Sequence, residues 1–593
     1  MEAKETGDKE TPEVAPAAEP TARAPSPYRP LFAAIGGGDW RIGAALAAIL
    51  LTTAIVFARS LGNQFVLDDH DQIVGNPYLG DWSFIWKSLT RSSAWFMHPL
   101  PLLAASYYRP LQNIWFALNY HLFGFHPAGW HGAMILLHLA VVWLVFRVAT
   151  RLCGDPWAGL GAAALFALMP IHAEAVAWAA AIAAPLAAAF QLGAFECYLR
   201  SFPSPAVSAG EGSHARDAAA SGSERPLAAS AEDGAGEGSG RRWFLPLSLA
   251  LFGGALLSYD AAVAFPGLVA AHAYLMEPDR PHRSNRSYVT AARNAIAAAW
   301  PYLLELAAYF AIRFGVLGFV AGRPDPTNRV TAYEALLTVP AAITNYLLLI
   351  AAPWLPGPAH SLTIAHWIAS PRFLLPLAGL GALAYAGLKS IARHPHRRLY
   401  LFCAAWFLIA LAPMLYLPGL FRESFIHDRY LYLPSVGICV IAADWAAVYA
   451  RGGERRTMAV WIAAAAMALA YVPMLFIAQG YWRDEPAALS RCIEEEPSEG
   501  TWQFRMGLAL AARDDYRGAI AALQTANRID PGDPADLHEM ALVYEALHER
   551  KAAERVLATR IGRIRGPGSG DYAELALAAA AAGDKPGAAA SLD

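Results

Sequence analysis

The chain has 593 residues, 56% of them hydrophobic and only 16% charged, with a formal net charge of −3. A soluble domain carries about 25% charged residues, and here the deficit is spread over many apolar runs, so composition excludes a soluble globular protein and implies a polytopic membrane protein. The small negative charge and the lack of a basic stripe exclude a nucleic-acid partner, and five scattered cysteines without metal-ligand spacing read as small core residues.

Residues 1–40 are acidic, rich in Pro and Ala, and weakly apolar, which predicts a disordered cytoplasmic tail and no signal peptide. About eleven spans follow by apolar length, near 42–61, 131–150, 157–173, 176–199, 243–259, 261–277, 296–320, 372–391, 398–418, 431–450 and 457–479. Basic clusters at Arg147/Arg151, 280–294, 389–398 and 451–456 then all fall on the cytoplasmic side. Residues 335–355 are apolar enough to span, but counting them would put the 389–398 cluster outside. Their prolines favour a re-entrant or interfacial helix instead. The Gly/Ser/Ala-rich stretch 201–242 reads as a flexible cytoplasmic linker. The first external loop, about 62–128, is rich in aromatics and predicts helices lying on the membrane face.

After the last span, residues 500–533 place Gly507, Tyr516, Ala519, Leu523, Ala526 and Pro531 at tetratricopeptide spacing. A second unit occupies 534–567, a degenerate third about 568–593, and 484–496 reads as a half-repeat. The expected fold is all-α: a polytopic transmembrane helical bundle of about eleven spans, residues 41–479, followed by a C-terminal tetratricopeptide-repeat α-solenoid, residues 480–593, outside the cytoplasm.

Polar residues collect at the external ends of the spans. Asp68 and Asp69 follow the first span, and carboxylates at a membrane boundary are costly unless they have a task there. Tyr108 and Arg109 lie later in the same loop, His172 and Glu174 between the third and fourth spans, Asp260 between the fifth and sixth, and His427 and Arg429 before the tenth. His131 and His138, seven residues apart on one helix face, read as packed and hydrogen-bonded. A carboxylate in such a cavity can serve as general base on a hydroxyl, and an arginine can hold a phosphate with two prongs. Together these groups fit sugar transfer from a polyprenyl phosphate.

The segments FVLDDHDQIVGNPYL (65–79), YYRPLQNIWFALNYHLFGFHPAGWHGAMILLHL (107–139), ALFALMPIHAEAVAW (164–178) and HDRYLYLPSVG (427–437), followed by repeats, resemble the transmembrane and tetratricopeptide-repeat O-mannosyltransferases of glycosyltransferase superfamily C and their bacterial relatives. The resemblance covers most of 42–560. It implies a polyprenyl-phosphate-linked sugar as donor, an inverting transfer, a protein acceptor, and Asp68-Asp69 as the catalytic acidic motif. Where such proteins carry Gly-Arg-x-Asp after HAEAVAW, this chain has AAAIAAP (179–185); where they carry Ser-Lys-Glu, it has Ser258-Tyr259-Asp260.

The expected function is therefore a multi-pass membrane glycosyltransferase of the bacterial inner membrane, its repeats on the periplasmic side. It would move a sugar to a protein or other periplasmic acceptor hydroxyl. Asp68 or Asp69 is the expected base. Arg109, Tyr108, His172, Glu174, Asp260, His427 and Arg429 are the expected substrate contacts, with no metal and no cofactor. The alternative is a non-catalytic membrane-anchored tetratricopeptide scaffold with a degenerate transferase body.

Overall fold

The computed structural model of the chain describes residues 40–97, 106–201, 232–276, 288–320, 330–352, 354, 356–417, 425–531, 535–563 and 569–591. The expected tail, most of the expected linker and part of the 280–294 cluster lie outside them. Every regular element among the described residues is helical. Eight of these helices are long and apolar enough to cross a membrane, and one pair broken at Met169–Pro170 and bent by 58° qualifies as a ninth. The protein is thus a multi-pass helical membrane protein.

The bundle opens with α1 (Trp40–Phe57). Helices α2 (Ser83–Leu89) and α3 (Pro110–Phe123) follow before the second span. Then come α4 (Pro127–Cys153), the broken pair α5 (Pro156–Leu168) and α6 (Ala173–Ala177), and α7 (Ala183–Ser201). Next are α8 (Glu232–Leu256), α9 (Phe265–Leu275), α10 (Tyr288–Leu317), α11 (Ala332–Ala351) and α12 (Pro371–Ile391). The last spans are α13 (Arg397–Leu411), α14 (Ser435–Ala450) and α15 (Glu454–Tyr481). All eleven expected spans are helical, although the pieces around 243–256, 260–275 and 435–450 are short.

Local chemistry sets the helix boundaries. Proline opens α3, α4 and α5 at their first position, where its missing N–H is no loss. Asp155 caps α5 by accepting from Trp157 N, and Thr331 with Glu334 forms a capping box on α11. Inside the bundle, α13 and α14 approach so closely that a Cβ on Gly437 would stand 2.4 Å from the Cys403 carbonyl oxygen. The five cysteines are buried and unpaired. By contrast α12 buries none of its residues against the protein, and Leu375, Leu383 and Tyr385 are exposed along it. An apolar helix left bare on this scale is lipid-facing.

The two ends of the bundle differ in charge. At one end Arg147, Arg151 and Arg200 meet Glu196, Arg451 bonds Asp155, and His396 bonds Asp444. At the other end lie Asp68, Arg109, Asp260 and Arg429. Helix α11 is a single helix containing Pro340, long enough to span. Some of its partners lie at the second end: Tyr346 Oη donates to Phe425 O at 3.3 Å, and α11 packs on the 3-10 turns Ala412–Leu415 and Asp428–Leu431. It also packs on α12, and by length and composition it is itself a candidate span.

Beyond α15, seven more helices follow: α16 (Glu485–Glu495), α17 (Gly500–Ala511), α18 (Tyr516–Ile529), α19 (Ala535–Ala546), α20 (Arg550–Arg563), α21 (Ser569–Ala582) and α22 (Lys585–Ala590). Each packs on the next. Gly507 and Ala519 permit the closest of these approaches, since a Cβ on Gly507 would fall 2.6 Å from Leu523 Cγ, and Leu523 is fully buried. We expect Gly507→Ala to lower the stability of the α17–α18 pair by about 1–3 kcal/mol. Limited proteolysis across 500–531 measures it, and unchanged protection would refute the packing argument.

Candidate functional site

The loop after α1 builds the site. Leu67 takes a left-handed backbone conformation (φ 50°), which a branched side chain adopts only under constraint. Two carboxylates hold it there. Glu485 of α16 accepts from Leu67 N at 2.5 Å, and Asp69 Oδ2 accepts from Val66 N at 3.0 Å. Asp69 Oδ1 also accepts from Ala180 N at 2.7 Å, joining this loop to the turn after α6. Asp69 is completely buried, and burial pushes its carboxyl up to about 8 despite the opposing pull of the two backbone donors. Immediately after it the chain winds as a π-helix, His70–Val74, a form that recurs at functional sites.

Neighbouring Asp68 faces the other way, into a cavity of about 170 Å³. It accepts a long hydrogen bond of 3.4 Å from Gln72 Nε2, and Gln72 Oε1 accepts from Gln112 Nε2 at 2.9 Å. Among the described residues Asp68 has no ion-pair partner within 4.0 Å. The adjacent acids thus differ in kind: Asp69 is spent on the fold and Asp68 is open to the cavity.

Arg109 and Arg429 line the same cavity, with Tyr107, Tyr259 and Tyr430. Each guanidinium has a carboxylate behind it. Arg109 Nε donates to Asp260 Oδ2 at 2.8 Å, and its guanidinium lies 4.0 Å from the Tyr107 ring centre. Asp260 is shared with Arg313 of α10, which also donates to Ser106 O at 2.7 Å. Arg429 pairs through its side chain with Glu174, which also accepts from Arg429 N at 2.9 Å. Its guanidinium stands 5.0 Å from the Trp178 ring. Such pairs orient the arginines and hold them charged in a site with little water.

The other candidate residues stand further back. His427 Nδ1 is 3.1 Å from Glu174, on the buried side of the pair. Tyr108 turns away and donates to Leu89 O at 2.8 Å. His172 is fully buried in the core, its Nδ1 against Phe166 O at 2.7 Å and its Nε2 against Ser435 Oγ at 3.1 Å. His138, read as packed and hydrogen-bonded, bonds Tyr432 Oη at 2.6 Å. Both rings fix the bundle beneath the cavity. Among the described residues no set of three or more His, Cys, Asp or Glu side chains converges as a metal site.

Four partners were not singled out from the sequence. Arg313 sits in an apolar segment, and its expense there was a usable signal. Gln72, Gln112 and Glu485 carry no such mark. Glu485 matters because it brings the segment after α15 onto the site: Gln64 N donates to Arg483 O at 2.8 Å, and Trp482 stacks on Trp178 with ring centres 5.0 Å apart at 14°.

One contact in this docking titrates. His70 Nε2 lies 3.5 Å from Glu485, whose hydrogen bond raises the imidazole pKa above its usual value. A raised histidine pKa stabilises fully below the unfolded pKa of about 6.5, and the effect fades as pH climbs through the folded value. We expect hydrogen-exchange protection in 482–495, taken relative to the intrinsic rate at each pH, to fall as pH rises past about 6.5, and His70→Ala to flatten that dependence. A profile unchanged by the substitution would refute the link.

No protein-family model matches the chain. Human protein O-mannosyl-transferase TMTC4 is 26% identical over 518 residues, which is 79% of this chain and 64% of that protein. The mouse TMTC4 protein is 35% identical over 170 residues, 25% of this chain and 22% of its own. Drosophila melanogaster Tmtc2 is 35% identical over 149 residues, 25% of this chain and 15% of its own. The chain therefore spans less than two thirds of the length of these relatives. Among solved structures, ArnT from Cupriavidus metallidurans bound to undecaprenyl phosphate aligns over 88% of this chain and 80% of its own, at 14% identity and a TM-score of 0.34. Over most of its length, then, this chain is similar to the TMTC protein O-mannosyl-transferases.

Proposed function

We propose that the protein is a membrane glycosyltransferase that moves one sugar from a polyprenyl phosphate to a hydroxyl of a protein or other acceptor on the far side of the membrane. The observation that carries this reading is the meeting of one uncommitted carboxylate, Asp68, with two carboxylate-backed guanidiniums, Arg109 and Arg429, in one cavity. The similarity to protein O-mannosyl-transferases supports it.

In this reading Asp68 takes the proton of the acceptor hydroxyl. The hydroxyl oxygen forms a bond to the anomeric carbon as the bond from that carbon to the lipid phosphate oxygen breaks, with inversion. The departing phosphate keeps the electron pair, and Arg109 and Arg429 bind its growing charge. Asp260, Glu174 and His427 serve behind the arginines. Residues 480–593 act as a repeat domain that gathers the acceptor.

A second reading, a non-catalytic scaffold, is favoured by one feature. The cavity wall at Ala180, Ala181, Ala183 and Ala184 bears no charged side chain. The adjacent aspartates separate the two. Asp68→Asn should abolish transfer, read as loss of sugar adducts on exported proteins by mass spectrometry, while leaving thermal stability near wild type. Asp69→Asn should instead lower stability by about 1–3 kcal/mol, because an amide cannot accept from both backbone N–H groups. Arg109→Gln should raise the KM for the lipid-linked donor roughly 10- to 100-fold, the scale of a lost charged hydrogen bond. Full activity of Asp68→Asn would end the enzymatic proposal in this form.

A further inference from the structure

At the end of the bundle away from the cavity, three arginines converge on one buried acid. Arg147 Nη2 donates to Glu196 Oε1 at 3.0 Å, Arg151 Nε to Oε2 at 3.1 Å, and Arg200 Nε to Oε1 at 2.9 Å. The Glu196 side chain is 8% exposed. Three guanidiniums against one carboxylate leave a formal surplus of two positive charges. Helices α4 and α7 both end here, and each C-terminus contributes roughly half a negative charge, so among the described residues about one positive charge stays unmatched. The aspartates nearby do not supply it: Asp155 is engaged by Arg451 at 2.7 Å and Asp444 by His396 at 2.7 Å. Arg147 Nε is buried with no hydrogen-bond acceptor among the described residues.

The surroundings say what kind of anion belongs there. Arg147 lies 5.3 Å from the ring of Trp143, which is 42% exposed. Arg200 lies 5.1 Å from the ring of Phe244, next to Trp243, which is 75% exposed. Trp243 opens the apolar stretch Trp243–Leu256, and an indole left bare at such an edge marks the depth of lipid headgroups. Guanidiniums suit phosphate in particular, with weakly held hydration and two donors in a plane. Basic clusters between spanning helices are known to hold acidic headgroups.

We propose that Arg147, Arg151 and Arg200 bind the phosphate of an anionic phospholipid, on the membrane face opposite the cavity. Glu196 is the internal anchor that gathers the three side chains and leaves them under-neutralised. The proposal is independent of the glycosyltransferase reading, because it concerns other residues and needs no turnover.

Native mass spectrometry of the full-length protein in detergent, titrated with phosphatidylglycerol or phosphatidylcholine, tests it. The wild type should retain phosphatidylglycerol roughly tenfold more than phosphatidylcholine, the scale expected of one or two basic residues near a lipid phosphate. Arg147→Gln with Arg151→Gln should bring the ratio close to one. If that variant fails to fold, Arg200→Gln should still reduce the preference, whereas Glu196→Gln, which adds to the surplus, should keep it. Equal retention of both lipids by the wild type would overturn the proposal, as would an undiminished preference in the folded double variant or in Arg200→Gln. Inorganic phosphate that protects against heat as well as phosphatidylglycerol does would also overturn it, by making the occupant a free ion.

Discussion

A carboxyl group buried in a protein interior is tolerated only where its oxygens are met by hydrogen-bond partners. Asp69 satisfies that condition with two backbone N–H groups, Val66 three residues before it and Ala180, 111 residues away. Much of the cavity depends on this arrangement. It fixes the turn that carries Asp68 and brings the wall after α6 against it. It also sets Trp178, whose indole donates to Val66 O at 3.2 Å, between the loop and Arg429. Because the contacts are to main chain, they specify position without consuming the side chain that faces the cavity.

The charges around the cavity follow a second constraint. A buried ion pair seldom adds net stability, but removing one partner is strongly destabilising. The pairs Arg429–Glu174 and Arg109–Asp260 are thus better understood as devices of orientation. Arg313 adds a second cation behind Asp260, so that side of the cavity is left positive. An anion entering the cavity would find its countercharge on that side.

Much of this was legible in the sequence. Apolar length located the helices, and the clustering of arginine predicted that Arg147, Arg151 and Arg451 would share an end. The prolines of 335–355 and the parity of the spans argued for an interfacial α11, whose length and apolar composition equally meet the requirement for a span. Composition could not say which way side chains point. Asp68 and Asp69 are indistinguishable as a pair of letters, and a single left-handed residue before them decides which faces the cavity. His172 looked like Glu174 in its loop, yet a two-residue step around a short 3-10 turn sends one into the core and the other under Arg429. The contact between Leu67 and Glu485 joins residues 418 apart, and no local pattern encodes it.

The docking of α16 has an architectural consequence. Trp482, Leu489, Cys492 and Trp502 are buried in one apolar cluster with Val66, Leu67 and Trp178. The mechanical border between the membrane body and the helical array therefore falls after Trp502, well past the point where the chain leaves the bilayer. Helices added to or trimmed from the distal end would leave the cavity undisturbed. A graft made at the bilayer exit would remove the support behind Leu67 and Trp178.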